Sequence, residues 1–74
     1  MENHDLIAIP KNASLDVADG TLFVNRKPFI VINPSTDRIQ SVGTDNEGKK
    51  VVRYHSDEGG ISEVLASEIQ GEWA

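Results

Sequence analysis

Asp19-Gly20 sits between two alternating apolar runs, Ser-Leu-Asp-Val-Ala before it and Thr-Leu-Phe-Val-Asn after it. That placement constrains the fold more than any other feature of the chain. Both residues tolerate the positive φ that a two-residue hairpin turn demands, so the pair predicts a tight hairpin. The register then follows. Ala18 faces Thr21, Val17 faces Leu22 and Leu15 faces Val24, which puts Leu15, Val17, Leu22 and Val24 on one apolar face and Asp16 and Phe23 on the other.

The flanking segments extend this hairpin into a meander. Residues 6–9 read as a short edge strand ended by Pro10, followed by a turn at Lys11-Asn12. Asn25-Arg26-Lys27-Pro28 is a second reversal, although no glycine eases it. Phe29-Ile30-Val31-Ile32 is an unbroken apolar run between breakers, the pattern of a central strand buried on both faces. A loop covers residues 33–37. Residues 38–42 form a strand in which Ile39 and Val42 have opposite parity, so a bulge is expected. Residues 43–48 form a polar hairpin loop, and residues 49–55 the last strand, with Val52 and Tyr54 on one face and Val51, Arg53 and His55 on the other.

After this strand the period changes. Ile61, Val64, Leu65 and Ile69 recur at helical spacing, acids at Asp57, Glu58 and Glu63 suit a helix N-terminus, and Gly71 suits its C-terminal cap. A helix is therefore expected over residues 61–70. Glu68 is discordant, because it falls inside the apolar stripe. The expected fold class is α+β: an antiparallel meander of four to five strands, followed by one C-terminal helix that covers a sheet face or plugs a half-open barrel. The chain has 74 residues, room for one domain. The expected layout is a frayed terminus over 1–5, the meander over 6–55, the helix over 61–70 and a tail over 71–74.

Charge is unevenly distributed. Residues 1–55 hold seven acids and seven bases, whereas residues 56–74 hold Asp57, Glu58, Glu63, Glu68 and Glu72 and no base, so the net charge of −5 lies wholly in the last quarter. There are no cysteines, which removes disulfides, thiolate metal sites and cysteine nucleophiles together. A domain this small in an oxidising compartment is usually stapled, so a cytoplasmic setting is expected. The opening Met-Glu-Asn-His-Asp lacks the basic-then-apolar order of a signal peptide.

Catalytic patterns fail on inspection. Gly43-Thr-Asp-Asn-Glu-Gly48-Lys49-Lys50 approaches the phosphate-cradling pattern, but Lys50 replaces the hydroxyl that ligates magnesium, and a strand follows where a helix is needed. His55-Ser56-Asp57 contains the residue types of a hydrolase triad, but consecutive strand residues point to alternate sides and cannot align. His4 is the only other histidine, a weak basis for zinc. The chain is accordingly read as a non-enzyme with no cofactor and no metal.

The remaining feature is the acidic C-terminal segment. The expected partner-binding residues are Asp57, Glu58, Glu63 and Glu72, docking on a basic protein surface, with Trp73 as the apolar anchor. In size, acidity and want of catalytic residues the chain is similar to small phage-encoded proteins that bind and inhibit a host nucleic-acid machine, such as RNA polymerase or a defence nuclease. That resemblance implies a transcription or nuclease regulator acting by protein contact; no motif is carried over residue by residue. A second reading is a small-barrel module that binds single-stranded nucleic acid through Lys49, Lys50, Arg53 and Tyr54, with Arg38 across from them. The net negative charge opposes it. A third is an oligomerising structural accessory domain that completes its core as a homodimer.

Overall fold

The computed structural model describes residues 6–74. The frayed terminus expected over 1–5, and His4 with it, lies outside the described residues. The chain forms eight strands: β1 (Ile7–Ala8), β2 (Leu15–Ala18), β3 (Thr21–Val24), β4 (Lys27–Asn33), β5 (Ile39–Thr44), β6 (Lys50–His55), β7 (Ile61–Leu65) and β8 (Gln70–Trp73). A 3₁₀ turn over Ala66–Glu68 separates the last two. They make two antiparallel sheets, one of five strands in the order β1-β8-β4-β3-β2 and one of three in the order β5-β6-β7.

The β2–β3 hairpin forms in the register derived from Asp19-Gly20: Leu15 pairs with Val24, Val17 with Leu22 and Ala18 with Thr21. Asp19 and Gly20 have φ of 54° and 79°, as a primed turn requires. The next reversal is also a two-residue turn, Asn25-Arg26, with φ of 53° and 68°. Asparagine tolerates that conformation, and here it is pinned. Its amide donates to the Ser14 carbonyl at 2.8 Å and its Oδ1 accepts from the Ser14 amide at 3.0 Å. Arg26 has no such excuse. A side chain in the left-handed region costs about 1–2 kcal/mol, and glycine would return part of that gain through its freer unfolded state. Arg26→Gly should therefore raise the melting temperature by a few degrees, on the order of 2–8 °C, in a calorimetric scan; an unchanged or lower value would mean that the arginine makes a compensating contact.

The C-terminal helix does not exist, and the fold is all-β rather than α+β. Residues 61–65 pair with β6 instead, Val52 opposite Val64 and Arg53 opposite Glu63. Residues 70–73 insert between β1 and β4. Backbone hydrogen bonding supplies the physical reason. A helix would satisfy its own amides but leave the edges of β6 and β4 unpaired, whereas two strands satisfy both. A ten-residue helix is marginal in water without strong packing. Glu68, discordant in a helical stripe, is exposed in the 3₁₀ turn. Ser56 to Gly60, read as the helix approach, is a hairpin loop in which the Ser56 amide donates to the Gly60 carbonyl at 2.9 Å. Residues 50–55 are thus not the last strand but the centre of the second sheet.

The core lies between the sheets. Leu22, Val24, Phe29 and Val31 from the first meet Ile39 and Val52 from the second, and Ile69 and Ala66 close one end. Leu15, Val17, Val42, Tyr54 and Val64 pack around them, half-buried. A second sheet therefore does the covering that was expected of the helix. β4 is central in its sheet, but only one of its faces is buried. Phe29 and Val31 point inward while Ile30 and Ile32 are 46% and 41% exposed. The expected bulge in β5 occurs between Ile39 and Ser41.

The two sheets join along one side only. β2 lies beside β5, and the Ile39 amide donates to the Gly20 carbonyl at 2.9 Å. The Thr36 hydroxyl braces the same corner: it donates to the His55 carbonyl and accepts from the Arg38 amide, both at 3.2 Å. On the far side the outermost strands are β1 and β7, and they do not pair with each other. The result is a curled sheet with an open seam between β7 and β1.

Candidate functional site

The residues expected to form one acidic docking surface are distributed over the molecule. Asp57 and Glu58 are exposed in the β6–β7 hairpin loop. Glu63 stands on the outer face of the three-stranded sheet, where its carboxylate pairs with the Arg53 guanidinium at 3.1 Å. Glu72 lies across from Ile30 on the outer face of the five-stranded sheet. Trp73 lies opposite Phe29, the two rings meeting edge to face with centroids 5.1 Å apart. Trp73 is thus partly committed to the core, though 42% exposed. The two outer faces look in opposite directions, so Glu63 and Glu72 cannot touch one flat partner together.

The basic set expected for nucleic acid is dispersed as well. Tyr54 packs against the core while Arg53, its neighbour, projects from the opposite face. Arg53 is spread over Gly43: a Cβ at that glycine would lie 2.8 Å from its Nη1. Arg38 packs its side chain against Gly20 at the sheet corner. Lys49 pairs with Glu47 at 3.3 Å, and the Lys50 ammonium donates to the Ala13 carbonyl.

The loop that resembles a phosphate cradle is a hairpin loop, and its chemistry is turned inward. Asp45 Oδ1 accepts from the amides of Glu47 and Lys49 at 2.9 and 2.8 Å, and the Asp45 carbonyl accepts from Gly48 at 3.0 Å. Amides that would have to face a phosphate are held by the chain's own carboxylate. Among the described residues, no three of His, Asp and Glu converge in a way that could hold a metal ion. No helix of the described residues is long and apolar enough to cross a membrane.

Two surface features stand out once the fold is assembled. The first is the outer face of the five-stranded sheet. Phe23 pairs with Pro28 there, Ile30 and Ile32 follow along the central strand, and Asp16 and Glu72 flank them on either side. Leaving two isoleucines in water on a central strand forgoes burial that a chain this small needs. Sequence reading missed this face because an unbroken Phe-Ile-Val-Ile run signals burial on both sides. Alternation of exposure becomes visible only when the neighbours are placed.

The second is a groove of about 690 Å³ in the open seam, lined by Ile9, Pro10 and Lys11 on one wall, by Lys49 and Lys50 at one end, and by Leu65 on the other wall. The sequence separates Lys11 from Lys49 by more than half the chain, so only the closure of the fold brings them together.

The chain matches no known protein family, no curated protein and no solved structure. What the fold and surfaces define is a small two-sheet β domain whose distinctive chemistry lies on its surface.

Proposed function

We propose that this protein is a non-enzymatic binding module that docks on a basic protein surface through the outer face of its five-stranded sheet. The observation that carries this reading is the exposure of Ile30 and Ile32, 46% and 41%, on the central strand beside Glu72. An apolar strip rimmed by carboxylates is the anatomy of a protein interface: the apolar part supplies affinity and the charged rim steers the encounter. The net charge of −5 supports a partner of opposite sign. Basic surfaces of this kind belong above all to proteins that handle nucleic acids. The narrower reading is therefore a regulator or inhibitor of such a machine, an RNA polymerase or a nuclease, acting in the cytoplasm. Trp73 lies on the other face of this sheet, against Phe29, and takes no part in the contact, whereas Asp57 and Glu58 add to the steering field.

The test uses Ile30→Lys, a surface change that should leave the melting temperature within a few degrees of the parent. Capture from a bacterial lysate on immobilised parent protein should retain a basic nucleic-acid-handling protein, and Ile30→Lys should lose it while Glu58→Lys merely slows its association. If the folded Ile30→Lys protein captures the same partner with unchanged kinetics, the sheet face is not the interface. If the parent captures nothing but is dimeric by light scattering, and Ile30→Lys is monomeric, the face belongs to a homodimer and the third reading replaces this one.

A further inference from the structure

We infer that the seam between β7 and β1 is a second binding site, which takes an extended acidic peptide segment carrying an apolar side chain. This site is separate from the sheet face and does not depend on it.

Charge is the first observation. Three of the chain's seven bases, Lys11, Lys49 and Lys50, line the groove, and none of the ten acids among the described residues does. In a protein of net charge −5 such segregation puts a local positive field in one concave place, where low-dielectric walls focus it. The lysines are also positioned by the fold. Lys50 is tethered through the Ala13 carbonyl, which leaves an ammonium with further donors to offer. Lys49 projects from a hairpin loop stiffened by the Asp45 carboxylate, and its only ion-pair partner among the described residues is Glu47, in an exposed pair at 3.3 Å that a ligand carboxylate can replace at little cost. Lys11 has no ion-pair partner among the described residues.

The backbone is the second observation. Among the described residues β7 pairs with β6 alone and β1 with β8 alone, and the last residues of these two edge strands, Leu65 and Ala8, both line the groove. An open edge is a template for an added strand, and peptide recognition by strand addition uses this geometry: main-chain bonds give affinity and flanking pockets give selectivity. Ile9, Pro10 and Leu65 supply an apolar floor for one side chain of the incoming strand. A volume of about 690 Å³ suits a few residues.

The same observations select peptide over nucleic acid. Among the described residues no aromatic side chain lines the groove, so they offer no platform on which a base could stack. The overall negative field also repels a long polyphosphate more strongly than a short peptide with a few carboxylates.

The experiment is fluorescence anisotropy on the full chain with three labelled probes: a blocked peptide Asp-Glu-Leu-Asp-Glu-Leu, its counterpart with lysine for every acid, and a short oligothymidylate. The acidic peptide should bind saturably, the basic one should not, and binding should weaken as salt rises. The double variant Lys11→Glu with Lys49→Glu alters only exposed side chains and should lose affinity by about tenfold or more, with its circular dichroism unchanged. Ile30→Lys should bind the peptide as the parent does, which separates this site from the sheet face. The inference is overturned if the acidic peptide does not saturate, if the basic peptide binds equally, if the double variant binds unchanged, or if oligothymidylate binds more tightly. It is also overturned if light scattering shows self-association that the double variant abolishes, since the occupant would then be the acidic hairpin of a second copy.

Discussion

A chain ending at His55 should not fold. Read from its charges, the acidic last quarter looks like an appendage that could be removed from a self-sufficient meander. The structure makes it integral. β8 is the strand between β1 and β4, so its loss exposes the edge of the central strand of the larger sheet and leaves β1 with nothing to pair with. β7 covers one edge of β6. Ile69, fully buried, goes with them, as do Ala66 and Val64 from the core. A domain of this size is stable by only about 5–10 kcal/mol. Deleting one large buried aliphatic side chain already costs about 2–5 kcal/mol, and the truncation removes several together with two ladders of backbone bonds. The 1–55 fragment should therefore show no cooperative thermal transition and a collapsed range of amide proton shifts. A cooperative melt of that fragment would show that the first six strands are a folding unit without the last two.

Gly71→Ala should be nearly as damaging, although it adds a single methyl group. Gly71 lies in β8 opposite Val31. A Cβ built on it would stand 2.0 Å from the Ile30 carbonyl oxygen and 2.7 Å from Cε2 of the Phe29 ring. Neither neighbour can yield. The carbonyl belongs to the central strand of the sheet, and Phe29 is the largest fully buried side chain in the core, held also by Trp73. Relief requires β8 to move away from β4, which breaks the ladder that closes the larger sheet. Overpacking of this kind costs about 3 kcal/mol or more when backbone must shift, a drop of more than about 10 °C in a domain of this length. Gly43→Ala is the internal control. Its Cβ would meet only the end of the Arg53 side chain, at 2.8 Å, and a guanidinium on a flexible stem can swing aside. Its melting temperature should stay close to that of the parent. If the two alanine variants melt together, the close approach at Gly71 is not what the geometry implies.

Local chemistry determined the β2–β3 hairpin completely, because Asp19-Gly20 dictates the turn and the turn dictates the register. It determined the edge strand before Pro10, the bulge near Ile39 and the hairpin loop over residues 43–48, each from chemistry within a few residues. It did not determine the state of residues 61–73. Ile61, Val64, Leu65 and Ile69 satisfy a helical stripe, yet the same stretch also satisfies two strands broken by a turn. Short apolar segments leave that choice open, and it was made by the unpaired edges of β6 and β4, whose amides needed partners from elsewhere in the chain. Gly71 illustrates the same limit. As a helix cap it would answer a local need, whereas here its bareness admits a backbone and a ring that belong to another strand. The surfaces follow the same division. The total charge and the lack of cysteine are properties of composition. The exposure of Ile30 and Ile32, the pairing of Glu63 with Arg53 and the convergence of Lys11 on Lys49 and Lys50 are decided only by closure of the two sheets, because each depends on residues far apart in the chain becoming neighbours in space.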